Sequence, residues 1–139
     1  MSPPEPGPAP VLDLDHLAEI REMPGMKGGS LLQEFVVLFM RDEPGRLAEL
    51  KRLAQQGTER AEIKRLAHSL AGSCAMLGAL QMQQAALAVQ ASAAAGAPAE
   101  LSARLAAVDG AWQRLQEALA RQGLWPAAQG AAGVSSTTT

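Results

Sequence analysis

His68 is the residue of this 139-residue chain best suited to nucleophilic chemistry. It opens the run His68-Ser69-Leu70-Ala71-Gly72-Ser73-Cys74-Ala75-Met76-Leu77-Gly78-Ala79. A neutral imidazole is a good nucleophile near neutral pH and can carry a covalent intermediate. Successive residues of an α-helix are about 100° apart. With His68 at the origin, Ala61, Lys64, Arg65, Ala71, Gly72, Ala75 and Ala79 fall within roughly 60° of it. Ile63, Leu66, Leu70, Ser73 and Leu77 fall on the far side, with Cys74 at its edge. The pattern predicts a helix that buries its leucines and turns His68 outward. The floor around the imidazole is then low and flat downstream and basic upstream. Gly72 inside a helix costs about 1 kcal/mol relative to alanine. Its outward position points to close approach by a second molecule rather than to helix packing. The expected chemistry is attack by an exposed imidazole on a group that another macromolecule presents.

The elements that must hold this imidazole are helical. Asp13 is placed to cap a short helix to about Glu22, with Leu14, Leu17 and Ile20 on one face. Met23-Pro24-Gly25 ends it. Ser30 is placed to cap a long helix carrying Leu31, Phe35, Leu38 and Phe39. Pro44 is expected to kink that helix or start a new segment. The pattern resumes at Leu47, Leu50 and Leu53 and stops at Gly57. Thr58 is the expected cap of the histidine helix, and Glu62 favours its positive end. That helix runs to about Leu77, and Gly78 permits a bend. A fourth segment follows from Leu80 to about Ala94, and Gly96-Ala97-Pro98 breaks the chain. The last helix carries Leu101, Leu105, Val108, Trp112, Leu115 and Leu119, a continuous apolar stripe. No alternating strand pattern appears. The expected architecture is all-α: an antiparallel helical bundle with a short additional N-terminal helix over one end.

Composition bounds the function. One domain, residues 11–123, is expected between a proline-rich disordered lead-in, residues 1–10, and a disordered tail, residues 124–139. Aromatic content is only 3%, so aliphatic side chains must supply the core. A net charge of -2 and a pI near 5.7 carry no polyanion-binding signature, so nucleic acid is not an expected partner. The single cysteine excludes an internal disulfide and fits a reducing compartment. Met1-Ser2-Pro3-Pro4-Glu5-Pro6 lacks the basic and apolar regions of a signal peptide. No apolar run is long enough to span a membrane. These features predict a soluble cytoplasmic protein. Nothing resembles a glycine-rich phosphate loop, a zinc spacing or a dinucleotide fingerprint.

The segment around His68 resembles the phospho-acceptor motif of histidine-containing phosphotransfer (HPt) domains, the carriers of multistep phosphorelays. The family pattern runs His, any residue, a large apolar residue, Lys, Gly, then small residues, with Leu-Gly nine and ten positions after the His. His68, Leu70, Gly72, Ser73, Leu77 and Gly78 match it at that spacing. The resemblance extends from about Val11 to Gln122. It takes in Leu12-Asp13-Leu14-Asp15-His16-Leu17 and the stretch from Leu31 through Pro44 to Leu53. It departs at Ala71, where the family carries its lysine.

The resemblance implies an up-down four-helix bundle with His68 as phospho-acceptor. It implies transfer from an aspartyl phosphate on one receiver domain to the aspartate of another, without independent kinase activity. The receiver would supply the acidic pocket and Mg²⁺, so the bundle needs no metal or cofactor of its own. The expected partners are response-regulator receivers and a hybrid sensor histidine kinase, and the expected state is a monomer. Lys64 or Arg65, one turn before His68, is expected to replace part of the charge missing at Ala71. Gly72 and Ala75 belong to the expected docking floor. Gln90, on the next helix, stands where the family borders its acceptor site, and so is placed to contact phosphate or partner. Cys74 and the methionines read as packing residues, and His16 has no motif around it. Ala71 also keeps open an alternative: an HPt-like module that binds a receiver or kinase without efficient transfer. Met1 fits a free-standing protein, and the proline-rich lead-in fits a linker from a hybrid kinase.

Overall fold

The structure is a computed structural model that describes residues 9–57, 59–95 and 98–125. Most of the expected lead-in and tail, together with Thr58, Gly96 and Ala97, lie outside the described residues. Five helices follow in order: α1 Leu14–Arg21, α2 Leu31–Gln56, α3 Arg60–Leu77, α4 Leu80–Ala95 and α5 Pro98–Arg121. No strand occurs among the described residues; Pro24 and Ser30 form one isolated bridge.

Local chemistry sets most of the helix ends. Asp13 accepts the backbone N–H of His16 at 3.1 Å and caps α1. Ser30 Oγ accepts from Leu32 N at 3.1 Å and caps α2. Gly57 and Gly78 close α2 and α3 in the left-handed conformation, which an L side chain adopts only at a cost. The expected Thr58 cap is replaced. The N-cap position of α3 belongs to Glu59, itself left-handed at φ 56° and making no side-chain cap bond. Its backbone carbonyl accepts instead from Glu62 N and Ile63 N.

Pro44 does not start a new segment, since α2 runs unbroken through it. Proline removes one backbone donor, so Met40 O lacks its usual partner from position 44. Pro44 is exposed, on the solvent side of α2.

The bundle closes as a ring. α3 packs on α2 and α4, α4 on α5, and α5 returns to α2. α2 contributes Val36, Met40, Leu47 and Leu50 to the core; α5 contributes Leu105, Val108, Leu115 and Leu119. Phe39 stacks on Trp112 with ring centroids 6.0 Å apart, joining α2 to α5. α4 carries no charged residue and buries Met82, Ala86, Val89 and Ala93. Its small side chains permit close approach of α3.

That close approach corrects the helical-wheel expectation for Ala71. Ala71 is 4% exposed, and Ala67, Leu70 and Cys74 are fully buried beside it. The buried seam of α3 is therefore rotated toward α4 relative to a seam drawn through the leucines alone. Ala79 is also buried, because it lies past the left-handed Gly78 where the helical wheel no longer applies.

The short α1 straps the α3–α4 corner. Asp13 N donates to Gly78 O at 2.8 Å, and Leu80 N donates to Val11 O at 3.1 Å. Gln81 Nε2 adds a bond to Ala9 O at 2.8 Å. His16 Nε2 donates to Met76 O at 2.8 Å, satisfying one of the carbonyls left free at the end of α3.

Candidate functional site

His68 stands in the middle of α3, and its side chain is exposed. Lys64, Arg65, Gly72 and Ala75 are exposed around it, as their spacing predicts. Ala71 is turned inward and presents no side chain to this surface. A Cβ built on Gly72 would meet nothing within 4 Å. Gly72 thus carries the helix penalty of glycine with no packing partner among the described residues that requires it. The surface continues over Met76, 58% exposed, to Leu38 on α2, 44% exposed. Between these helices lies a groove of about 170 Å³ lined by Phe35, Phe39 and Leu77 among others.

The two flanks of His68 differ. On the α2 side Arg65 pairs with Glu62 through both guanidinium Nε and Nη2. That pair holds the Glu62 carboxyl below the usual glutamate range. On the α4 side stand Lys64, the buried Ala67 and Ala71, and Gln90 across the seam. The hydrogen bond from Arg60 Nη1 to Ala93 O fixes the antiparallel register of α3 and α4. With a rise of about 1.5 Å per residue, that register places Gln90 near the level of Ile63 and Lys64, about 7 to 8 Å along the axis from His68. Gln90 Oε1 is buried and has no hydrogen-bond partner among the described residues. An unpaired buried amide oxygen is costly, so it marks a place that a donor would fill.

A polar tether meets α3 at Ser73, the residue after Gly72. Arg46 Nη1 donates to both carboxylate oxygens of Glu43, at 2.7 and 2.8 Å, and to Ser73 Oγ at 3.3 Å. Glu43 is 2% exposed. Burial pushes its carboxyl above the usual range, outweighing the Arg46 guanidinium and the Ser73 hydroxyl beside it. This tether joins α2 to the segment of α3 that carries His68, and the spacing of residues around His68 gives no sign of it. Its signal lay in α2, where Glu43 occupies an apolar stripe position between Met40 and Leu47, three residues before Arg46. His16 was missed for a similar reason: its partner, Met76 O, is a backbone atom sixty residues away.

Cys74 is buried, and burial raises its thiol to about 12. It is a packing residue with negligible thiolate at neutral pH. Among the described residues no three His, Cys, Asp or Glu side chains converge as a metal site would require. None of the described helices is long and apolar enough to cross a membrane.

A family model described as "Hpt domain" matches residues 34–125. The fold is shared with the histidine-containing phosphotransfer protein MtHPt2 from Medicago truncatula. That match has a TM-score of 0.71 and 18% sequence identity, and it covers 91% of this chain and 85% of that one. No curated protein matches the chain.

Proposed function

Because the chain belongs to the Hpt domain family, we propose that it is a phosphorelay intermediate whose phospho-acceptor is His68. The observation that carries this reading is the exposed imidazole one turn before a helical glycine with open space above it. That arrangement gives a second protein in-line access to the ring, which phosphoryl transfer requires.

In the first half-reaction a ring nitrogen of His68 attacks the phosphorus of a receiver's aspartyl phosphate. The P–N bond forms as the P–O bond to the carboxylate breaks. The carboxylate leaves with the electron pair, and the ring proton passes to solvent. The second half-reaction is the same exchange in reverse onto the aspartate of another receiver. Mg²⁺ in the receiver's acidic pocket supplies charge neutralisation at the phosphoryl oxygens. This chain supplies the nucleophile, the uncharged docking floor of Gly72 and Ala75, and Gln90 at its border. The Gln90 amide N–H groups are donors of the kind a phosphoryl oxygen accepts. The chain has no kinase activity of its own, works in the cytoplasm as a monomer, and serves receiver domains and a hybrid sensor histidine kinase.

The test is transfer from a phosphorylated receiver to the wild type and to His68→Gln. The expected label is acid-labile, base-stable and lost in the variant. Receiver binding without label on the wild type would instead establish a docking module, a reading that the inward-turned Ala71 favours because it leaves no cation one turn after His68.

A further inference from the structure

We propose that Lys64 is the residue that brings positive charge to the phosphorylated imidazole of His68, and that Arg65 does not share this role. The proposal rests on His68 being the phospho-acceptor. A phosphoryl group adds close to two negative charges near neutral pH. On an exposed helix those charges attract any cation that is within reach and not already engaged.

Lys64 is such a cation. It precedes His68 by one turn, an axial rise of about 6 Å that a lysine side chain can span. It is exposed, and it forms no hydrogen bond or ion pair among the described residues. The other cations of α2 and α3 are engaged. Arg41, Arg46, Lys51 and Arg52 each hold a carboxylate. Arg60 donates to the carbonyl of Ala93. Arg65 is the nearest rival, but its guanidinium is paired with Glu62 and lies toward α2.

The flank adds a second observation. Lys64 sits on the α4 side of α3, where Gln90 Oε1 is buried without a donor. The ammonium has three N–H donors, enough to serve a phosphoryl oxygen and that amide oxygen together. An unpaired cation and an unpaired acceptor thus lie on the α4 flank of α3, and a neutralised ion pair lies on the flank toward α2.

The experiment uses the full chain and phosphoramidate as phosphodonor, so no receiver is needed. The ring nitrogen attacks phosphorus, the P–N bond to ammonia breaks, ammonia leaves, and the ring proton goes to solvent. The rate of His68 phosphorylation is followed by ³¹P NMR in wild type, Lys64→Gln, Lys64→Arg, Arg65→Gln and His68→Gln. Lys64→Gln is expected to slow phosphorylation roughly 5- to 20-fold at low salt, with the gap closing as salt screens the charge. Lys64→Arg should stay within about threefold of wild type and Arg65→Gln within about twofold. Equal rates for Lys64→Gln and wild type, or an equal loss in Arg65→Gln, would overturn the Lys64 assignment alone. Absence of label on wild-type His68 would overturn the acceptor reading beneath it. Lys64 is exposed and forms no hydrogen bond or ion pair among the described residues, so its variants should melt with the wild type, and the salt dependence separates a charge effect from a structural one.

Discussion

The middle of α3 and its C-terminal end each combine a histidine with a glycine, and they use them in opposite ways. At the end, His16 reaches across from α1 to donate to Met76 O, and its ring packs against Gly78. A Cβ on Gly78 would come within 3.0 Å of His16 Cδ2, and the residue is left-handed at φ 82°. In the middle, His68 makes no bond within the described residues, and Gly72 has open space above it. The first pair is consumed by the fold. The second pair is left over by it, at a cost in helix stability, and is available to another molecule. One motif therefore holds two kinds of glycine, and substitution can tell them apart.

The largest effect should come from the histidines. His68→Gln should abolish phosphorylation while leaving the melting temperature unchanged. His16→Gln should keep phosphorylation and cost about 1 kcal/mol, the price of a helix-end hydrogen bond. Paired labelling and thermal melts check this. Equal loss of label in both variants would break the contrast.

Next is the tether between the two regions. Arg46→Met strands Glu43, whose side chain is 3% exposed. Removing one member of a buried pair costs up to about 3–5 kcal/mol; with Arg46 itself partly exposed, about 2–4 kcal/mol is expected by urea unfolding. Its pH dependence has a definite sign. Glu43 lies above the 4.5 of a free glutamate, so the folded state favours its protonated form. Its contribution to stability is present below 4.5 and is lost as pH rises through the folded value. Arg46→Met should therefore regain part of its lost stability as pH falls toward 4.5. The double variant Arg46→Met/Glu43→Gln should not. Glu34, Asp42, Glu49 and Glu62, none of them buried, are shifted down and act with the opposite sign. Their contribution is lost as pH falls below the ordinary carboxylate range.

The two glycines give the smaller effects, of opposite sign. Gly78→Ala forces an L side chain into the left-handed region and against His16, and should cost about 2 kcal/mol. Gly72→Ala should stabilise the fold by about 0.5–1 kcal/mol, because nothing among the described residues opposes the added methyl. Transfer from a receiver should nevertheless slow in that variant, while reaction with the small donor phosphoramidate should be less affected. Destabilisation by Gly72→Ala would show that the glycine serves the bundle rather than a partner.

The legible parts of the molecule were those written in local chemistry. Asp13, Ser30, Gly57 and Gly78 mark helix ends through their own side chains or lack of one. The stripe from Leu101 to Leu119 marks the inner face of α5 through large aliphatic residues. The outward placement of His68, Lys64, Gly72 and Ala75 followed from angular spacing. What escaped was set by distant partners. Ala71 is buried because the alanine-rich α4 comes close, and alanine is too weakly apolar to announce a seam. Pro44 remains inside α2 because its ring faces solvent. The roles of His16, Glu43 and Arg46 depend on Met76 O and Ser73, which only the tertiary fold brings to them.

The chain has two histidines, and only His68 is expected to take the phosphoryl group. The direct measurement is to treat the full chain with phosphoramidate and read both imidazoles by ¹H–¹⁵N correlation with ³¹P coupling. The account predicts a P–N bond at His68 alone, with the His16 ring still bonded to Met76 O. A phosphoryl group on His16, or none on His68 under conditions that phosphorylate free imidazole, would contradict it.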